Sequence, residues 1–150
     1  MRIEYVTDPE LFREVGEQWL AESRYEQFGL KVTVDNVIAD SKEWLKTGMG
    51  TIIALHHGYE GYVGFMTVYC VADFLGDKPV AFEKYWYIKP MFRWGGHKML
   101  AEAKIWAKKQ GASHFVSSAS MAASNRHDRL CEFYVRQEMK QFETSFICEL

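Results

Sequence analysis

The chain predicts an α/β domain, a mixed sheet flanked by about four helices, and three observations carry that expectation. Three long β-type runs follow one another between residues 51 and 88. Segments with a helical apolar period lie before and after them. A strand–helix–strand–helix–strand succession then completes the chain. Consecutive strands joined by short turns make an antiparallel meander, whereas strand–helix–strand makes a parallel pair. The sheet must therefore be mixed, with helices on both faces, in the order β-α-α-β-β-β-α-β-α-β.

The elements follow in order. Ile3 to Val6 reads as a short strand. Asp8-Pro9 supplies an N-cap followed by a proline at the first helical position. Leu11, Val15 and Trp19 then recur on one face of a helix that should run to about Tyr25 and stop near Gly29. A second helix is expected from Asp35 to Leu45, with Val37, Ile38, Ser41, Trp44 and Leu45 on its inner face, ended by Gly48 and Gly50. Thr51–His56, Tyr62–Val71 and Val80–Ile88 are the meander strands, joined by His57–Gly61 and Leu75–Pro79 as turns. A helix from about Gly96 to Lys109 buries Met99, Leu100, Ala103, Trp106 and Ala107, and Gly111 stops it. Ser113–Ala119 reads as a strand, Ser124–Gln137 as a helix, and Phe142–Cys148 as a last strand. Repeats, linkers and low-complexity tracts are absent, so residues 1–150 are expected to form a single domain.

Composition narrows the function classes. With 48% hydrophobic and 15% aromatic residues the chain can build a core without disulfides or a structural metal. A net charge of −2 provides no nucleic-acid footprint, so no nucleic-acid partner is expected. The three cysteines are Cys70, Cys131 and Cys148, with no CxxC pair, which suits free thiols in a reducing compartment. The opening residues lack the apolar core of a signal peptide, and no run is long enough to cross a bilayer. A cytoplasmic protein without membrane association is expected. The aromatic content is compatible with a homodimer.

The strongest local signal is Tyr87-Ile88-Lys89-Pro90-Met91-Phe92-Arg93-Trp94-Gly95-Gly96-His97-Lys98: a strand end, a loop with two glycines, and the start of a long helix. Free N–H groups and the dipole at a helix N-terminus form an anion site. Glycine lets the backbone approach a phosphate, and Arg93 and Lys98 add positive charge. An ordinary glycine-containing βα turn would look the same from the loop alone.

Here the sequence resembles the GNAT acetyltransferase family, whose pyrophosphate loop [Gln/Arg]-x-x-Gly-x-[Gly/Ala] is matched at Arg93 and Gly96, with Pro90 as a further common feature. Lys98 stands where the pattern has a small residue, and Trp94 replaces a frequent glycine. Farther on, Phe133-Tyr134 resembles the family's Phe-Tyr-x-x-x-Gly-Phe segment, with Glu138-Met139 in place of Gly-Phe. The family's frequent asparagine seven residues before the tyrosine is His127 here, with Asn125 nearby. One strand follows Tyr134 where the family usually has two.

The resemblance implies acetyl transfer from acetyl-CoA, as cosubstrate, to the primary amine of a small molecule or protein. Tyr87, Ile88, Lys89, Arg93, Trp94, Gly95, Gly96, His97, Lys98 and Asn125 would hold acetyl-CoA. A backbone N–H of Tyr87 or Ile88 would bind the thioester oxygen, beside a bulge that splays two parallel strands. Tyr134 would be the acid that protonates the leaving thiolate. Glu83, in an apolar-aromatic strand ten residues before Arg93, is the first candidate base; alternation puts it on the face of Tyr85 and Tyr87. A solvent-facing glutamate paired with a lysine is the other reading of that residue. His127 is a second candidate base. Trp19, Tyr25, Phe28 and Trp44 read as core, although the family places the segment around Tyr25, Glu26 and Phe28 beside the acceptor groove. No His, Asp and Glu set has metal-ligand spacing, so no metal is expected. The same resemblance also admits a different class, a GNAT scaffold serving protein interaction with or without coenzyme A.

Overall fold

The computed structural model describes residues 1–72, 76–148 and 150. Of the expected turn at Leu75–Pro79, Leu75 lies outside the described residues. Five strands, β1 (Arg2–Val6), β2 (Gly50–His57), β3 (Gly61–Val71), β4 (Val80–Ile88) and β5 (His114–Val116), form one sheet in the order β1-β2-β3-β4-β5. All neighbours are antiparallel except β4 and β5, which are parallel. Four helices complete the described fold: α1 (Arg13–Glu22), α2 (Val34–Lys46), α3 (Gly96–Lys109) and α4 (His127–Arg136).

The central strands are apolar on both faces, as a doubly covered sheet requires. Ile53, Leu55, Met66, Val68 and Ile88 pack toward α3, against Met99, Ala103 and Trp106. Ile52, Ala54, Phe65 and Tyr87 pack toward α1 and α2, against Val15, Trp19, Val37 and Ile38. Under α2 the buried hydroxyls of Ser41 and Thr67 lie 3.3 Å apart, each serving the other's polar atom.

Several expectations are corrected. The first helix opens with a 3-10 turn at Pro9–Phe12, capped by the Asp8 side chain on Glu10 N–H. That turn rotates Leu11 out to solvent, and Phe12 takes the inner position, its ring stacked 4.3 Å from that of Phe65. The helix ends at Glu22; Tyr25–Phe28 form a separate 3-10 turn closed by Gly29, whose φ of 70° suits glycine. Phe142–Cys148 is not a strand: Phe142, Phe146 and Ile147 are exposed, and the alternating pattern finds no ladder partner among the described residues. Glu138 adopts φ 60°, so the chain leaves α4 through a left-handed residue that is not glycine.

Two departures from regularity shape the site. Thr67 pairs with Tyr85 but Val68 pairs with Glu83, so Lys84 is an extra, bulged residue in β4. The bulge shifts the alternation by one. Glu83 therefore shares the face of Val68, toward α3, and not that of Tyr85 and Tyr87. The second departure is that β5 follows β4 only as far as Phe82 and Val116. Beyond that point the ladder opens, because Ser118 N–H turns to donate to Glu83 Oε2 at 3.2 Å.

Candidate active site

Where β4 and β5 part, a cavity of about 310 Å³ opens. Trp19, Tyr25, Tyr85 and Tyr87 line it from the α1 side, and Leu130, Phe133 and Tyr134 from α4. The segment between β5 and α4 is tied to α1 by Trp19 Nε1 donating to Ala123 O at 3.1 Å, and to the residues just after α1 by Arg24 N donating to Ala122 O at 2.7 Å. The cavity therefore crosses the sheet plane and is bordered by both helical layers.

The open edge of β4 presents backbone donors. Lys89 N–H donates to Val63 O at 2.8 Å, which makes Lys89 and Val63 a hydrogen-bonded pair of the β3–β4 ladder. Alternation then turns Tyr87 N–H toward β3 and leaves those of Ile88 and Trp86 facing the gap. Consistently, the Ile88 carbonyl points the same way and accepts Arg93 Nε at 3.2 Å. Of the two expected donors, Ile88 faces the gap and Tyr87 does not. The bulge lies earlier than expected, at Lys84.

Glu83 and Tyr134, far apart in sequence, meet at the fork. Glu83 Oε2 accepts from Ser117 Oγ at 3.1 Å, from Ser118 N–H, and from the Tyr134 hydroxyl at 3.3 Å. Glu83 Oε1 has no hydrogen-bond partner among the described residues. Enclosure by protein raises the Glu83 pKa above the usual carboxylate range, against the three donors, which lower it. Burial, then the nearby Glu83 charge, pushes the Tyr134 phenol far up, so it is a neutral donor. Tyr25 is likewise raised, to about 12, by burial.

Arg93 lines the cavity, but its charge is already paired. Its guanidinium reaches inward to Glu22 Oε2 at 3.0 Å, while Glu22 Oε1 accepts the Tyr87 hydroxyl at 2.6 Å. Lys89 pairs with Glu14 at 2.9 Å, away from the cavity. Gly96 lines the cavity. A Cβ on Gly95 would lie 2.7 Å from Leu55 Cδ2, so that glycine serves packing. Trp94, His97 and Lys98 lie outside the cavity, with Lys98 Nζ 6.0 Å from the Trp94 ring centre and His97 Nδ1 2.8 Å from Trp94 O. Asn125 lines the cavity. His127 does not: its ring sits against Asp128 and Cys131.

Four groups escaped the sequence reading: Glu22, which anchors Arg93; Trp86, whose buried indole N–H has no partner among the described residues; and Arg126 and Arg129 in the cavity wall. The spacing Arg126, Arg129, Phe133 is a helical-face signal that could have found the last two. Among the described residues no group of three or more His, Cys, Asp or Glu side chains could hold a metal, and no helix is long and apolar enough to cross a membrane.

Solved structures place this architecture. No family model matches the sequence and no curated protein is detectably similar. A ribosomal-protein-alanine N-acetyltransferase from Brucella melitensis biovar Abortus 2308 superposes with TM-score 0.71 at 12% identity, over 100% of both chains. The aminoglycoside acetyltransferase AAC(6')-Iy, solved with a coenzyme A bisubstrate analogue, gives TM-score 0.72 at 17% identity over 99% of this chain and 97% of the other. Aminoglycoside 6'-N-acetyltransferase AAC(6')-Ih from Acinetobacter baumannii gives 0.70 at 14%, over 99% and 97%. The fold is that of the GNAT acetyltransferases.

Proposed function

We propose that the protein is an N-acetyltransferase that moves the acetyl group of acetyl-CoA to a primary amine. The observation that carries this reading is the convergence, at the fork between β4 and β5, of an outward Ile88 N–H, a neutral Tyr134 hydroxyl and a desolvated Glu83 carboxylate. The cavity fits a pantetheine arm: it crosses the sheet beside free strand donors, and the orphaned indole N–H of Trp86 lies in its wall. Bound acetyl-CoA would supply an acyl thioester.

This chain's residues then have distinct tasks. The Ile88 N–H holds the thioester oxygen as negative charge grows on it. An amine with an ordinary pKa near 10 is charged at neutral pH, so it must lose a proton before attack. Glu83 takes that proton, through its free Oε1. As the new N–C bond forms and the C–S bond breaks, the Tyr134 hydroxyl gives its proton to the departing sulfur. The first proton passes from Glu83 to solvent; the carboxylate then takes the second proton from the acylated nitrogen and, once the carboxyl group has turned, hands it to the Tyr134 oxygen, which stands 3.3 Å from Oε2, so that both groups are restored.

The charge of the wall bears on the acceptor. It carries two carboxylates, Glu22 and Glu83, against four cations, Lys84, Arg93, Arg126 and Arg129. Glu22 is already paired with Arg93. That balance supports an acceptor with a single ammonium over a polycation such as an aminoglycoside.

Tyr134→Phe tests the mechanism, because it removes only the hydroxyl. On a panel of mono-amines, kcat should fall about 10–10³-fold with acetyl-CoA affinity nearly kept. Unchanged kcat on the best acceptor removes Tyr134 from the chemistry, and the absence of acetyl transfer by the wild type to any amine defeats the reading.

A further inference from the structure

The phosphate loop carries one arginine, and that arginine is engaged elsewhere. Arg93, in the cavity wall, is held between the Ile88 carbonyl of β4 and Glu22 of α1, which pairs its charge. Lys98 stands over the exposed Trp94 ring, outside the cavity. The wall opposite, at the start of α4, supplies two other cations, Arg126 just before the helix and Arg129 in its first turn. They are three residues apart and line the cavity beside Leu130 and Phe133. The Phe133 ring comes within 3.9 Å of where a Cβ on Gly96 would be, so this face of α4 looks across at the start of α3.

Neither guanidinium has a carboxylate partner among the described residues. The acids around them are already occupied: Asp128 lies with His127, Glu132 with Arg136, Glu83 with Ser117, Ser118 and Tyr134, and Glu22 with Arg93. Both arginines line the cavity together with Trp86, Leu130 and Phe133 and bring it two positive charges without a carboxylate partner. An oxygen-rich dianion complements such charge and accepts guanidinium forks bidentately.

We propose that Arg126 and Arg129 bind a phosphate of coenzyme A, supplying from α4 the side-chain charge that Arg93 does not present. The assignment rests on the cavity being an acetyl-CoA site. The phosphate is either the terminal 3'-phosphate of the ribose or the pyrophosphate, which share this chemistry.

Calorimetric titration of the full chain with coenzyme A and with 3'-dephospho-coenzyme A separates the outcomes. In Arg126→Gln/Arg129→Gln, coenzyme A binding should weaken about 10–100-fold. If the pair holds the 3'-phosphate, the wild type prefers coenzyme A to the dephospho form and the variant loses that preference. If it holds the pyrophosphate, both ligands weaken by the same factor. Both side chains are exposed, so circular dichroism should confirm an intact fold. Arg126→Lys/Arg129→Lys, which keeps charge without the fork, should recover only part of the affinity. Wild-type affinity in the folded glutamine variant overturns the assignment while leaving the acetyl-CoA site standing. A wild type that binds neither ligand overturns both.

Discussion

Glu83 is costly to the fold and useful to the site for one reason, the desolvation of its carboxylate. Its raised pKa means that the folded state binds this proton more tightly than the unfolded chain. The stability it contributes is therefore complete below the ordinary glutamate value of 4.5 and is lost as pH rises through the folded pKa. Glu83→Gln removes the ionisation and keeps an oxygen for Ser117, Ser118 and Tyr134. The variant should melt higher than the wild type at pH 8, with the gap closing toward pH 4, as read by a thermal scan across that range. Its kcat/KM should drop about 10²–10⁴-fold and lose the rise with pH expected of the wild type if Glu83 is the base. A variant that is no more stable at pH 8, or that keeps the wild-type pH profile, places the carboxylate in ordinary solvent contact. None of this follows from the strand pattern, because alternation assigns Glu83 to the face of Tyr85. Only the extra residue at Lys84, set by pairing with β3, sends it to Tyr134.

At the scale of elements, the segment from β4 to α3 divides its work between two adjacent glycines. Sequence reading treats Gly95 and Gly96 alike, as close approaches to a phosphate. Packing separates them. A Cβ on Gly95 would press on Leu55, which is fully buried and cannot move aside, and would lie 3.1 Å from Met1 Cε. A Cβ on Gly96 meets Trp86, Ile88 and Phe133 at 3.4–3.9 Å, ordinary contact on the cavity wall. Gly95→Ala should thus cost about 1–3 kcal/mol in urea denaturation while sparing coenzyme A affinity per folded molecule. Gly96→Asp should keep the fold and weaken coenzyme A at least tenfold by titration, since it sets a carboxylate in the wall facing Arg126 and Arg129. The reverse pattern, with Gly95→Ala weakening the ligand and Gly96→Asp unfolding the chain, would invert the assignment. The boundaries of β4 and α3 were legible because Pro90, the glycines and the apolar period are local signals. The partner of Arg93 was not, because Glu22 lies 71 residues away.

For the whole molecule, the sheet's order and mixed pairing were readable from the succession of periods, and the two helical layers from the apolar faces of α1, α2 and α3. The misread element is the last one. Phe142–Cys148 alternates like a strand, but alternation records only that one face could be buried; a strand also needs an edge to join. β5 is three residues long, and the groove between it and α3 is bordered by Glu138, Met139, Lys140 and Phe142, after which the chain runs free. Described residues from 143 onward are all exposed, and their hydrogen bonds stay local, Gln141 to Thr144 and Ser145 to Glu143. Such a segment buries no apolar area that folding would lose. Removing residues 143–150 should therefore leave the melting temperature within about 2 °C of the full chain, less than the shift expected from about 1 kcal/mol in a domain of this size. Differential scanning calorimetry of the two chains at equal concentration reads this directly. A fall of about 8 °C or more would mean that the alternating segment does find a strand edge in solution, and of the sheet's two edge strands, β1 and β5, the nearer in sequence is β5.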